Sequence, residues 1–194
     1  MLTLPPILLT LLLAVPIARV VRRFERAAAP VITLSALLYT IPSLPLFLLI
    51  PVAIGTGLRS PINVIIALTI YGLALLVPTA VDAVRSTDEP VADAATAVGF
   101  SRAGLFWNVE LPLAGPQILA SLRVVSASTI SLATLGSVLG VAGLGTLFTD
   151  GFQRGLQEEI TAGLVLTVAL ALVIDLLLVA LGRLAMPWTR RSSR

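Results

Sequence analysis

The chain contains no cysteine, no histidine and no lysine. Without cysteine there is no disulfide framework, no thiolate metal site and no cysteine nucleophile. Without histidine the commonest general base and the commonest transition-metal ligand are both missing. Without lysine no Gly-x-x-x-x-Gly-Lys-Ser/Thr phosphate loop exists, so work driven by ATP has to be powered by a partner. Charged residues are scarce at 12%, where a soluble domain carries about a quarter. These absences argue against an enzyme; the expectation is no catalytic residue, no metal and no cofactor.

What is present is apolar. Hydrophobic residues make up 57% of the 194 positions, too many for a water-soluble surface to cover. Lipid removes that difficulty. A bilayer core needs about 20 apolar residues per helix, and the runs 2–18, 31–54, 62–84, 118–141 and 160–181 come near this. The predicted fold is all-α: a polytopic membrane helix bundle of about five transmembrane helices, forming one domain over residues 1–194. The first run lacks a basic leader and a small-residue cleavage site, so it reads as a span rather than a signal peptide. It is short, which leaves room for further residues at a natural N-terminus. Pro42, Pro45 and Pro51 interrupt the second run. Proline removes a backbone donor and kinks a helix, and irregular backbone at membrane depth tends to line a cavity.

Every positive side chain is arginine, and the formal net charge is +3. No aromatic-rich polar surface accompanies that charge, so nucleic acid is not an expected partner. The arginines sit at the ends of the apolar runs. Arg19, Arg22, Arg23 and Arg26 follow the first; Arg85 and Arg102 follow the third; Arg183, Arg190, Arg191 and Arg194 follow the fifth. The intervening loops carry only Arg59 and Arg154. By the positive-inside rule the arginine-rich ends face the cytoplasm, the N-terminus lies outside and the C-terminus inside.

The longest cytoplasmic segment is then residues 85–116. Thr87 or Asp88 can cap a helix that has Pro90 in its first turn. Val91, Ala94, Ala95 and Val98 share one face at helical spacing. Gly99 suits a left-handed helix end. Ser101 can cap a second short helix holding Leu105, Phe106 and Val109, and Pro112 and Pro116 close the segment. The apolar faces of these helices either pack on the bundle, lie in the lipid interface or dock a soluble partner.

The run Asp93-Ala94-Ala95, three residues, Gly99, nine residues, Val109, one residue, Leu111-Pro112 resembles the EAA loop of ABC import permeases. The family pattern is Glu-Ala-Ala, three residues, Gly, nine residues, Ile, one residue, Leu-Pro. Asp93 stands for Glu and Val109 for Ile. The resemblance implies a pair of coupling helices seated in a groove of a cytoplasmic ATPase subunit. Gly99 would permit the bend, Ala94 and Ala95 the close approach. Phe106 would be an apolar anchor, and Leu111 and Pro112 would set re-entry into the membrane. It also implies a second permease subunit, identical or paralogous, an extracytoplasmic substrate-binding protein, the bacterial cytoplasmic (inner) membrane as location, and alternating access driven by ATP.

Two further stretches are similar to osmoprotectant permeases, which serve importers of glycine betaine, carnitine or choline. They are Tyr39-Thr40-Ile41-Pro42-Ser43-Leu44-Pro45, and Ala133-Thr134-Leu135 through Val141-Ala142-Gly143-Leu144-Gly145. The likeness covers most of residues 31–182. Methionine importers share a similar glycine-rich segment, so an amino-acid importer is the alternative. A stand-alone secondary transporter or channel and a small membrane enzyme are rivals from other classes.

Arg123 and Asp175 are charges inside apolar runs. A charge at that depth is costly alone, and both lie at a similar distance from the cytoplasmic face, so the two are expected to pair within the bundle. Gly136 and Gly140 form a GxxxG pair that lets helices approach, with packing inside the chain as the first reading. No substrate-binding residue is identifiable.

Overall fold

The computed structural model describes residues 2–191 and contains helices joined by short turns, with no strand among the described residues. Helix α1 is Leu4–Arg23, with Pro5 and Pro6 in its first turn and Arg22 and Arg23 in its last. Cations at a helix C-terminus complement the backbone dipole. One 3-10 turn, Glu25–Ala27, leads into α2, Ala28–Thr40. Pro42 denies Ile41 the helical conformation, and Ile41 is extended (φ −66°, ψ 124°). Helix α3, Ser43–Ile54, starts anew at an angle of 103° to α2.

Helix α4, Pro61–Arg85, follows a loop pinned by the buried Asn63. The Asn63 side-chain amide donates to the Gly57 carbonyl at 2.8 Å, and its carbonyl accepts from the Thr56 hydroxyl. Two short helices, α5 (Glu89–Ala97) and α6 (Arg102–Leu105), precede a single π-helical turn, Phe106–Glu110. Helix α7, Leu111–Ala133, runs into a 3-10 segment, Thr134–Leu139. Helix α8, Gly145–Arg154, and the long α9, Gln157–Ala185, follow, with a last 3-10 turn at Pro187–Arg191.

Pairwise contacts set the directions. Thr10 of α1 lies against Thr69 and Gly72 of α4, while Arg22 at the end of α1 meets Glu110 just beyond the α4–α7 loop. Helices α1 and α4 therefore run in parallel toward that loop. Helix α9 returns antiparallel to α7: Asp175 meets Arg123, Gly182 lies against Leu119, and Met186 against Gly115. Between α1 and α4 the chain must climb back. The α2–α3 pair does this, since Ile41 lies beside Tyr71 at the middle of α4 and the following loop is tied to Asn63 at its start. Counted as one broken span, the bent pair brings the four long apolar helices to five candidate spans. The start of α1 and the end of α9 lie at opposite ends of the bundle.

Helix α4 is the centre and is mostly buried, whereas α9 is almost wholly exposed along its apolar length. Lipid tails are as apolar as leucine, so packing rather than hydrophobic transfer must hold such helices together. Small residues allow it. Ala14, Ala18, Ala67, Ala80 and Ala83 are all buried. At Gly72 a Cβ would collide with the Thr10 side chain, so only glycine permits this crossing of α1 over α4.

The helix boundaries differ from the apolar runs in two places. Pro112 and Pro116 do not end the cytoplasmic segment; Pro112 sits in the first turn of α7 and Pro116 inside it. The segment carrying Gly136 and Gly140 is 3-10 rather than α, so the two glycines do not share a helix face. Gly136 packs on Val64 within the chain.

Candidate functional site

The loop between α4 and α7 is built by local chemistry. Asp88 precedes α5, and Glu89 in its first turn suits the positive end of the helix dipole. Beyond Ala97 the backbone turns left-handed at Gly99 (φ 96°). The Gly99 N–H donates to the Thr96 carbonyl at 3.0 Å and the Phe100 N–H to the Ala95 carbonyl at 3.1 Å. This pair of bonds is the Schellman ending, which satisfies carbonyls a helix terminus leaves orphaned. A side chain at a positive φ is strained, so the turn requires glycine. Ser101 then caps α6, its Oγ accepting from the Gly104 N–H at 3.1 Å.

The π-helical turn that follows has a cause in Pro112. An α-helical proline ring clashes with the carbonyl four residues back, here Asn108. Widening the turn by one residue relieves the clash, and the Leu111 N–H bonds to the Phe106 carbonyl.

The sequence-predicted residues fall into two groups. Asp93, Ala94 and Gly99 are exposed, as are their neighbours Val91, Val98 and Phe100. Val98 is 76% exposed, a valine at the tip of the turn with nothing of its own chain over it. Ala95 is buried, and Val109, Leu111 and Pro112 are half-buried where the segment meets the bundle.

Phe106 is a correction. Expected as an outward anchor, it is 2% exposed and belongs to the main core cluster with Val84 and Ala114. The π-helical turn points it inward and leaves the adjacent Trp107 outside, 47% exposed, with the two rings edge to face at 5.1 Å. The apolar surface on offer is therefore Val91, Val98, Phe100 and Trp107.

Away from the loop, Arg123 of α7 and Asp175 of α9 come together as a bidentate pair. Nε lies 2.6 Å from Oδ1 and Nη2 2.8 Å from Oδ2. The fork geometry of guanidinium and carboxylate accounts for both bonds.

Sequence reasoning missed a second ion pair. Arg22 Nε lies 2.8 Å from Glu110 Oε1, and the Glu110 side chain is only 4% exposed. Arg19, one turn earlier on α1, places its guanidinium 5.8 Å from the Phe106 ring centroid and 5.6 Å from that of Trp107. Glu110 fills the one unassigned position between Val109 and Leu111. An acid among those apolar positions was the available signal, but its partner lies 88 residues away. Among the described residues no group of His, Cys, Asp or Glu is arranged to hold a metal.

A family model described as the binding-protein-dependent transport system inner membrane component matches residues 7–191. The chain is 37% identical over 141 residues to the ergothioneine transport permease/ergothioneine binding protein EgtU of Helicobacter pylori strain G27; the match covers 73% of this chain and 24% of that protein. It is 30% identical to the choline transport system permease protein OpuBB of Bacillus subtilis strain 168, over 93% of this chain and 82% of that protein. It is also 30% identical to the carnitine transport permease protein OpuCB of Listeria monocytogenes, over 99% and 85% respectively. Among solved structures, the inward-facing MetNI methionine ABC transporter is similar in fold, with TM-score 0.76, 18% identity, and coverage of 94% of this chain and 90% of that one.

Proposed function

Because the chain belongs to the family of binding-protein-dependent transport system inner membrane components, we propose that it carries a quaternary-amine osmoprotectant and that a cytoplasmic ATPase subunit drives it through the turn at Gly99. The chain is a multi-pass membrane protein and an ABC importer permease subunit similar to osmoprotectant permeases. ATP hydrolysis in this family belongs to a separate subunit, consistent with a chain that has no lysine for a phosphate loop.

The observation that carries the docking reading is the exposed apolar turn. Val91, Val98, Phe100 and Trp107 are exposed around a glycine whose backbone only glycine adopts comfortably. Arg85 and Arg102 flank it, and the end of the bundle it occupies also carries Arg19, Arg22, Arg23 and Arg183. The positive-inside rule assigns that end to the cytoplasm, with the N-terminus outside and the C-terminus inside. Asp93 and Ala94 are exposed beside the tip and complete the docking surface. Val109, Leu111 and Pro112 anchor the loop to the membrane helices rather than touch the partner.

The solute reading rests on the relatives. Choline, carnitine and ergothioneine, named for three of them, share a trimethylammonium group. A substrate-binding protein would deliver such a solute to the outer face. A second permease, identical or paralogous, would complete the pathway, which opens to each side in turn. The methionine alternative rests on a likeness at 18% identity, which speaks to the fold alone.

Co-purification tests the docking reading. An ATPase subunit should accompany the parent permease out of detergent and be lost from Gly99→Asp at equal permease yield. Retention of the ATPase by Gly99→Asp would place the docking surface elsewhere.

A further inference from the structure

We propose that Arg22 and Glu110 form the joint through which the coupling loop moves the first membrane helix, with Arg19 as a second grip on the same segment. The inference rests on the docking reading of the Gly99 turn and goes beyond it, from where force enters to where it goes.

The loop is joined covalently to the bundle at both ends, to α4 through residues 86–88 and to α7 through Glu110. Helix α1 is not covalently joined to the segment; side chains connect the two. The Arg22–Glu110 bond is 2.8 Å long, with the carboxylate buried and the guanidinium partly exposed. Glu110 lies on the inner side of the same π-helical turn whose outer side presents Trp107. The Arg19 guanidinium reaches both Phe106 and Trp107 of that turn, within the range where a cation is held by an aromatic face. One exposed ring therefore belongs at once to the outward surface and to the grip on α1. A push on the turn is delivered to α4 and α7 through the chain and to α1 through the ion pair.

The ion pair thus holds α1 to the coupling segment at its Arg22 end, while the close Thr10–Gly72 crossing holds it to α4. A buried carboxylate is an expensive way to fill this position if packing were the only need, because an apolar residue of similar size would avoid its desolvation.

The test uses the full complex of permease, ATPase and binding protein in proteoliposomes. The chain has no cysteine, so Leu8→Cys, at the far end of α1 and 57% exposed, carries a single environment-sensitive fluorophore. Trapping the ATPase with ATP and vanadate should shift its emission. In Glu110→Gln and in Arg22→Gln the ATPase should still co-purify, and the shift should shrink at least about fivefold. The reversed pair, Arg22→Glu with Glu110→Arg, or the conservative Arg22→Lys alone should restore it. A residue that merely supports folding would lower the yield of these variants but leave the shift per folded complex intact; that result, or an undiminished shift in both single variants, overturns the joint. Absence of the ATPase from the parent complex would instead overturn the docking reading on which the joint depends.

Discussion

The hydroxyl of Tyr71, midway along α4, donates to the backbone carbonyl of Ile41 at the break between α2 and α3. In a continuous helix that carbonyl would accept from residue 45, which is proline and has no N–H. The tyrosine supplies the missing donor, and its ring is held edge to face by Tyr39 at 6.2 Å. The break is thus specified twice, once by Pro42 and Pro45 and once from the neighbouring helix. Tyr71→Phe should destabilise the bundle by about 1–3 kcal/mol, the cost of leaving a buried polar group unsatisfied. Reversible denaturation of the purified protein in mixed micelles measures this.

The crossing of α1 and α4 predicts a suppressor. Gly72→Ala should cost about 1–3 kcal/mol, the usual penalty of overpacking, because its methyl group meets the Thr10 side chain. Thr10→Ala removes the atoms in the way and should recover part of the loss in the double variant. Unfolding measurements on both single variants and the double one complete the cycle.

Backbone strain and docking separate at Gly99. Its φ of 96° strains any side chain, yet nothing of the chain itself lies within 4 Å of where a Cβ would stand. Gly99→Asn should be tolerated better than Gly99→Val, since asparagine visits the left-handed region most readily after glycine. Valine there should cost about 1–2 kcal/mol or more. ATPase retained on affinity purification should follow the order Gly, Asn, Val.

Arg123 and Asp175 should behave as a unit. Either Arg123→Leu or Asp175→Leu leaves a lone charge on a helix that faces apolar surroundings. Each single change should lower the yield of folded protein more than the double change does. Size-exclusion profiles of the fluorescently tagged variants report this directly.

Legibility in the sequence followed the range of the interaction. The apolar runs marked every membrane helix, because twenty-residue hydrophobicity is a property of the bilayer rather than of packing. Pro90, Gly99 and Ser101 marked the loop turns, since caps, first-turn prolines and left-handed glycines act within a few residues; Asp88 sits at the N-cap of α5, but its side chain makes no capping bond. The Arg123–Asp175 partnership was inferable because each charge stood alone in an apolar run. Phe106 was misplaced because the π-helical turn that Pro112 demands rotates it inward and leaves Trp107 out; a uniform 3.6-residue period does not anticipate that rotation. The Arg22–Glu110 pair was invisible for another reason. Arg22 sits among several arginines that topology alone explains, so nothing singled it out for a carboxylate far along the chain.

The central claim is that the Gly99 turn faces the cytoplasm and is gripped there by an ATPase subunit, and one engineered thiol tests it. With Val98→Cys as the sole cysteine, a membrane-impermeant maleimide should leave right-side-out vesicles unlabelled, and a short thiol-to-amine crosslinker in inverted vesicles should join the permease to the ATPase subunit. Labelling of Val98→Cys from the outside, or an accessible thiol in inverted vesicles that yields no crosslink to an ATPase, would contradict it.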